Sequence, residues 1–138
     1  MRTGRYPSIS TAILVLVRKE DSLLLVHARN FKGTFNSLVA GFLETGETLE
    51  ECVAREVKEE TGLDIVGCRY LFSIPNLYPY SGFEVHTVDM FFECLTESFD
   101  GAKAEDDAAE IIILPANQLN PDDFGLQSIK KAVDRYIK

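Results

Sequence analysis

No apolar run in this chain is long enough to cross a membrane. The nearest candidate, AILVLV at 12–17, is followed at once by Arg18, Lys19 and Glu20, and the opening MRTGRYPS lacks the apolar stretch of a secretory signal. A cytoplasmic protein with no membrane partner is therefore expected. Cysteine is also sparse. Cys52, Cys68 and Cys94 are odd in number, widely spaced and without a Cys-x-x-Cys pair, so the sequence suggests neither a disulfide framework nor a zinc site, and reduced, partly buried thiols are expected. Positive charge is in deficit, with 14 Lys and Arg against 22 Asp and Glu, a net charge of −8 and a pI near 4.7. Adhesive binding to nucleic acid needs a basic patch, and this balance argues against it. It leaves room for a small polyanionic substrate, because a bound divalent cation reverses the local field where phosphates would sit.

Repeats, linkers and low-complexity segments are absent too. A length of 138 residues with 46% apolar and 26% charged content suits one core, and residues 1–138 are expected to form a single domain. The pattern predicts strands at 10–18 and 22–28, a loop through NFKGTFNSLVAG into a short strand, and a helix over 48–61. Further strands are expected at 64–74 and 83–95 around a proline-rich loop, PNLYPYSG. A polar connection at 101–110, a short buried strand IIIL and an amphipathic helix over 122–138, with Ile129, Val133 and Ile137 on its apolar face, complete the chain. His27 and His86, both within strands, are read as structural residues.

The helix over 48–61 raises the functional question. Thr48 is a good N-cap, Glu51 stands three residues on to complete a capping box, and Gly62 can take the left-handed position that ends the helix. At about 100° per residue, with Glu56 at zero, Glu60 falls near +40° and Glu59 near −60°. Leu49, Val53 and Val57 fall between about +20° and +100°, so Glu56 and Glu60 share the apolar face. A solvated acidic surface would put the acids opposite that stripe. On it, they lose hydration unless something positive compensates, and carboxylates at i, i+3 and i+4 suit a shared hard cation such as Mg²⁺ or Mn²⁺. Geometry alone leaves both readings open.

The spacing Gly41-x5-Glu47-x7-Arg55-Glu56-Val57-x-Glu59-Glu60-x-Gly62-Leu63 resembles the complete Nudix box, with no fixed position missing, and the likeness extends over most of residues 5–120. The resemblance implies an α/β fold, the Nudix α/β/α sandwich with a mixed β-sheet, and a hydrolase that cleaves a diphosphate with Mg²⁺ or Mn²⁺. It implies Glu56 and Glu60 as metal ligands, Glu59 as a further ligand or the group that polarises water, and the Ala40 carbonyl as completing the shell. Arg55 belongs with this catalytic set and, like Glu47, is read as orienting the helix and its loop. Relatives add one acid from beyond the box. Among Glu105, Asp106, Asp107 and Glu110, Glu110 is preferred as the fourth acidic ligand because it directly precedes IIIL.

Substrate choice is expected to follow from SIPNLYPYS at 73–81, which resembles the S-Q-P-W-P-F-P-x-S segment of NADH pyrophosphatases. Ser73, Pro75, Pro79 and Ser81 match and Tyr78 replaces Phe, whereas Ile74, Asn76 and Leu77 depart, Asn76 taking the place of Trp. The implied substrate-binding residues are Ser73, Pro75, Asn76, Tyr78 and Pro79, with Phe42, next to the box glycine, stacking on a ring. The expectation is a small nucleotide substrate, NADH or NAD⁺, cleaved to AMP and nicotinamide mononucleotide by a homodimer. ADP-ribose or a nucleoside triphosphate is the alternative substrate, and a non-catalytic nucleotide sensor the alternative class. Such sensors usually lose acids of the box, and this chain keeps them all. Full-length members also carry an N-terminal domain and a four-cysteine zinc ribbon ahead of this region; whether these are naturally absent or cut away is open.

Overall fold

The computed structural model describes residues 8–30, 33–80, 82–103 and 110–138, and the side chains of all of these except 28–30, 33–35, 78–80 and 83. Strand β1 (Ser10–Lys19) organises the rest, because it is apolar on both faces. Ile13, Val15 and Val17 alternate with Ala12, Leu14 and Leu16, and all six are buried. A strand of this kind needs a layer on each side, and burying each large aliphatic side chain stabilises the fold by about 1.5–3 kcal/mol. Helix α1 (Leu49–Thr61) covers the first face with Cys52, Val53 and Val57. Helix α2 (Gln127–Tyr136) covers the second with Ile129, Ala132 and Val133. The result is the expected α/β/α sandwich.

Among the described residues the sheet has seven strands and is mixed. β1 pairs antiparallel with β2 (Ser22–Asn30) only near its end, from Val17↔Leu24 to Lys19↔Ser22. Beyond that point β2 pairs with β3 (Gly33–Ser37) instead, while β7 (Glu110–Pro115) runs along its other edge from Ser22 to His27. The vacated edge of β1, from Ala12 to Val15, takes β4 (Val39–Phe42) instead. Along its other edge β1 runs parallel to β6 (Phe83–Leu95), which pairs antiparallel with β5 (Gly67–Tyr80). The divergence of β1 and β2 thus places Ala40 and Gly41 within the sheet, under α1.

Helix α1 starts and stops as its sequence dictates. The Thr48 hydroxyl accepts from Glu51 N at 3.1 Å and the Glu51 carboxylate from Thr48 N at 2.8 Å, while Gly62 closes the helix at φ 79°. Other boundaries differ from expectation. Residues 33–37, expected as loop, form β3, because β2 supplies an antiparallel partner from Val26↔Ser37 to Asn30↔Gly33. The proline-rich segment is strand: β5 continues to Tyr80, with Pro75 opposite Val88 and Pro79 opposite Glu84. β5 is an edge strand, and the two prolines lie an even number of residues apart. Their missing N–H groups therefore fall on the same side, the unpaired one. Helix α2 begins at Gln127 rather than 122, after a 3-10 turn at Pro121–Asp123 whose Asp122 N–H is capped by the Asn120 side chain. Ile137 lies beyond its last turn and is 46% exposed, not part of its buried face. Among the described residues no helix is long and apolar enough to cross a membrane.

Candidate active site

Gly41 and Glu56 explain each other. A β-carbon on Gly41 would meet the carboxylate of Glu56, so only glycine leaves that carboxylate its place against β4. Gly41 faces α1, and by strand alternation Ala40 and Phe42 face the opposite side. One turn along the helix, Glu60 accepts the backbone N–H of Ala40 at 3.0 Å. The box glycine and the two inward acids therefore form a single contact between β4 and α1.

Arg55 ties the loop before α1 to this contact. Its Nε and Nη2 donate to the two oxygens of Glu47 at 2.7 and 3.0 Å, its Nη1 donates to Glu56 at 2.6 Å and Glu59 at 3.2 Å, and its Nη2 also donates to the Phe42 carbonyl at 3.2 Å. Glu44 lies 3.2 Å from Arg55 Nε. This paired geometry, with Arg55 as the strongest influence, holds the Glu47 carboxyl at about 2, well below its ordinary 4.5, and raises the Arg55 guanidinium in turn. Glu56 shifts the other way: burial raises it despite the Arg55 hydrogen bond. Beneath them Cys52 donates its thiol to the Phe42 carbonyl at 3.6 Å, and burial pushes that thiol up to about 12.

The donor set fits a hard divalent cation on two observations. Glu56 is held in a cradle that a β-carbon would fill, and its burial is unfavourable to the charged form that a cation would compensate. Arg55, shared among Glu44, Glu47, Glu56 and Glu59, does not neutralise that many acids. As placed, the carboxylates turn to Arg55 and to the Ala40 amide, and among the described residues no three of His, Cys, Asp and Glu converge on one point. Glu59, the outermost of the three, is half exposed. Glu110 is the first residue of β7, opposite His27 of β2, with its carboxylate 4.0 Å from His27 Nε2 and 62% exposed. Its described contacts are not with α1. Glu105, Asp106 and Asp107 lie outside the described residues.

On the other side of β4, a cavity of about 310 Å³ opens beside the box glycine, lined by Gly41, Phe42, Leu14, Asp89, Leu126 and Ile129 among others. Phe42 is 53% exposed at its mouth. A second cavity of about 590 Å³ is lined by Pro75, Asn76 and Leu77 of β5, His86 and Thr87 of β6, and Gln127 and Lys131 of α2. Thr87 of this second cavity donates its hydroxyl to Asp89 of the first at 2.7 Å. Ser73 is exposed on the same strand. The backbones of Tyr78 and Pro79 pair with Val85 and Glu84, but their side chains and the whole of Ser81 lie outside the described set. Of the residues read as structural, His27 stands with Nδ1 3.1 Å from Asn36 Oδ1, whereas His86 is exposed and lines the second cavity. The reading by motif missed Thr87, Asp89, Gln127 and Lys131. The signal for the first two was present in VHTVDMF, where polar residues at 87 and 89 share a face with Phe91.

A box glycine cradling a helix carboxylate, with an arginine gathering the acids around it, is the property of a family. The NUDIX domain family matches residues 7–136, and the chain belongs to this family of hydrolases. Among curated proteins, the NAD-capped RNA hydrolase NudC of Vibrio atlanticus is 50% identical over 80 residues, covering 58% of this chain and 30% of that protein. The NAD-capped RNA hydrolase NudC of Salmonella agona is 40% identical over 119 residues, 86% of this chain and 40% of that one. The chain thus spans well under half the length of these relatives. Among solved structures, a NUDIX hydrolase from Nitrosomonas europaea superposes with a TM-score of 0.77 at 18% identity, covering 94% of this chain and 89% of that one. A MutT NUDIX hydrolase from Burkholderia pseudomallei gives 0.76 at 15% identity, covering 96% and 100%. At that identity the likeness speaks for the fold.

Proposed function

We propose that this chain is a divalent-cation-dependent pyrophosphohydrolase that cleaves the diphosphate of NADH or NAD⁺ to AMP and nicotinamide mononucleotide. The observation that carries the reading is the contact of Glu56 and Glu60 with Gly41 and Ala40, with one cavity beside Gly41 and Phe42 across β4 and a second lined by Pro75, Asn76 and Leu77. The NudC relatives, named as NAD-capped RNA hydrolases, support a nicotinamide dinucleotide, and they favour a second form of it, an RNA 5′ end that carries NAD. The acidic net charge argues against adhesive RNA binding but is compatible with recognition of such an end.

Water attacks one phosphorus, the bond from that phosphorus to the bridging oxygen breaks, and the departing phosphate keeps the oxygen. Glu56 and Glu60 would hold Mg²⁺ or Mn²⁺, with Glu59, the Ala40 carbonyl and Glu110 as the remaining candidates. Such an ion, when bound, neutralises non-bridging oxygens and lowers the pKa of water. Glu59, exposed at the edge of the cluster, receives the proton that the water gives up. Arg55 and Glu47 hold the loop and helix together so that Glu56 keeps its place. Phe42 and the cavity beside it exclude water from one face of a substrate ring, and the β5 segment from Ser73 through Tyr78 and Pro79 lines the path of the other half. A cytoplasmic setting and a homodimer belong to the same reading, and sedimentation as a monomer alone would remove the dimer.

The test is a panel of NADH, NAD⁺, NAD-capped RNA, ADP-ribose, diadenosine polyphosphates and nucleoside triphosphates with Mg²⁺ or Mn²⁺. The highest kcat/KM is expected for a nicotinamide dinucleotide, free or at an RNA end. A best substrate outside that group overturns the substrate assignment, and tight binding without cleavage of any of them overturns the enzyme.

A further inference from the structure

Asp89 is 2% exposed, and no other charged residue among the described ones is buried to that degree. It lies on β6 between Ala12 of β1 and Ile74 of β5, in register with both, and shares its face with Thr87 and Phe91. That face packs into the apolar cluster under α2, which includes Leu14, Phe91 and Ile129. A carboxylate there loses its hydration, and the hydrogen bond from one neutral hydroxyl, Thr87 at 2.7 Å, returns only part of it. Among the described residues no Lys, Arg or His forms an ion pair with Asp89. A carboxylate has about four acceptor positions, of which Thr87 fills one.

The placement makes sense of the cost. Asp89 lines the cavity of about 310 Å³ that also contains Gly41 and Phe42, and Leu14, Leu126 and Ile129 give it mostly apolar walls, with the Ser37 hydroxyl turned to the Leu38 carbonyl. That volume is near the lower end of small-ligand pockets, roughly 300–1,000 Å³, and suits one ring with its sugar better than a whole dinucleotide. The cavity opens behind the strand whose Ala40 and Gly41 meet Glu60 and Glu56, so on the dinucleotide reading a ring seated here would be joined to phosphates at the box. Apolar walls accept the faces of such a ring, whereas Asp89 requires a donor on its edge.

We propose that Asp89 is a specificity-determining residue whose carboxylate accepts an N–H from the heteroaromatic ring that enters this cavity. It thereby selects a ring bearing an amide or amine over one bearing a carboxylate or a carbonyl oxygen at the same place. The inference rests on the dinucleotide reading above. The shared chemistry, an N–H on the ring edge, is available from the carboxamide of nicotinamide and from the exocyclic amine of adenine. A buried acceptor discriminates strongly between such rings, because the wrong one leaves it unpaired or sets two negative groups together.

The experiment measures kcat/KM for NAD⁺, its nicotinic acid analogue and its hypoxanthine analogue, in the wild type and in Asp89→Asn, whose amide is nearly the same shape and can donate as well as accept. The wild type is expected to cleave one analogue at least about tenfold less well than NAD⁺. Asp89→Asn is expected to narrow that ratio about tenfold or more, and the analogue affected identifies the ring in the cavity. Thr87→Val, which removes the hydroxyl holding Asp89, shifts the same ratio by a smaller factor and serves if Asp89→Asn does not fold. Equal use of all three substrates by the wild type, or ratios that neither variant changes, overturns the proposal. A wild type active on nucleoside triphosphates or ADP-ribose but on none of the three dinucleotides removes the dinucleotide reading and the proposal with it. That failure shows as missing turnover rather than as an unchanged ratio.

Discussion

A β-carbon on Gly41 would stand 2.1 Å from the carboxyl carbon of Glu56, and 2.4 and 2.5 Å from its two oxygens. The obstacle is the end of a flexible side chain rather than backbone, so Gly41→Ala folds by expelling the carboxylate. The expected outcome is a Tm within a few degrees of wild type and a kcat lower by about 100-fold or more. Full activity in this variant would show that Glu56 does not act from the place it occupies.

Glu47 and Glu56, both bonded to Arg55, shift in opposite senses. Glu47 is held at about 2 in the folded chain against an ordinary 4.5, so the stability it contributes is fully present above pH 4.5 and is lost as pH falls through 2. Urea unfolding from pH 6 to 2.5 should show a shallower acid loss in Glu47→Gln than in wild type. Glu56 is raised by burial, so its contribution is present below the ordinary carboxyl range and is lost as pH rises through its folded value. Glu56→Gln should therefore gain stability relative to wild type at pH 7 and lose that gain near pH 4, while losing turnover at both.

If the inward acids of α1 bind a cation, Mg²⁺ or Mn²⁺ should raise the Tm of the wild type in a saturable way, since a ligand that binds only the folded state stabilises it by mass action. Glu60→Gln should keep its fold and lose most of the cation-dependent rise. An equal rise in both proteins would place the cation elsewhere.

Thiol chemistry separates the three cysteines. Burial pushes all three thiols up, but Cys52 and Cys94 are buried whereas Cys68 is exposed at the start of β5. A disulfide-exchange reagent should modify one thiol quickly in the native protein and all three in denaturant. Rapid modification of Cys52 would mean that the contact between β4 and α1 opens readily.

The helix and its acids were legible because everything that specifies them is local. Thr48, Glu51 and Gly62 delimit α1, and the spacing of Glu56 and Glu60 sets them on its inner face. The apolar run AILVLV likewise announced a strand. What stayed hidden depends on partners distant in sequence. Pro75 and Pro79 look like loop residues until the sheet order makes β5 an edge, and residues 33–37 gain strand structure only because β2 turns away from β1. The cavity beside Phe42 draws on β1, β4, β6 and α2, so no single segment of sequence outlines it.

The central claim, that the acids of α1 drive hydrolysis of a dinucleotide diphosphate, is tested most directly by resolving the products of NADH turnover chromatographically. The comparison is between wild type and Glu60→Gln, with Mg²⁺ and after chelation. The account predicts AMP and reduced nicotinamide mononucleotide in equal amounts from the wild type with cation, and about 100-fold less from the variant or without cation, with the Tm of the variant preserved. Undiminished turnover in Glu60→Gln or in chelator, or cleavage anywhere but the diphosphate, would contradict it.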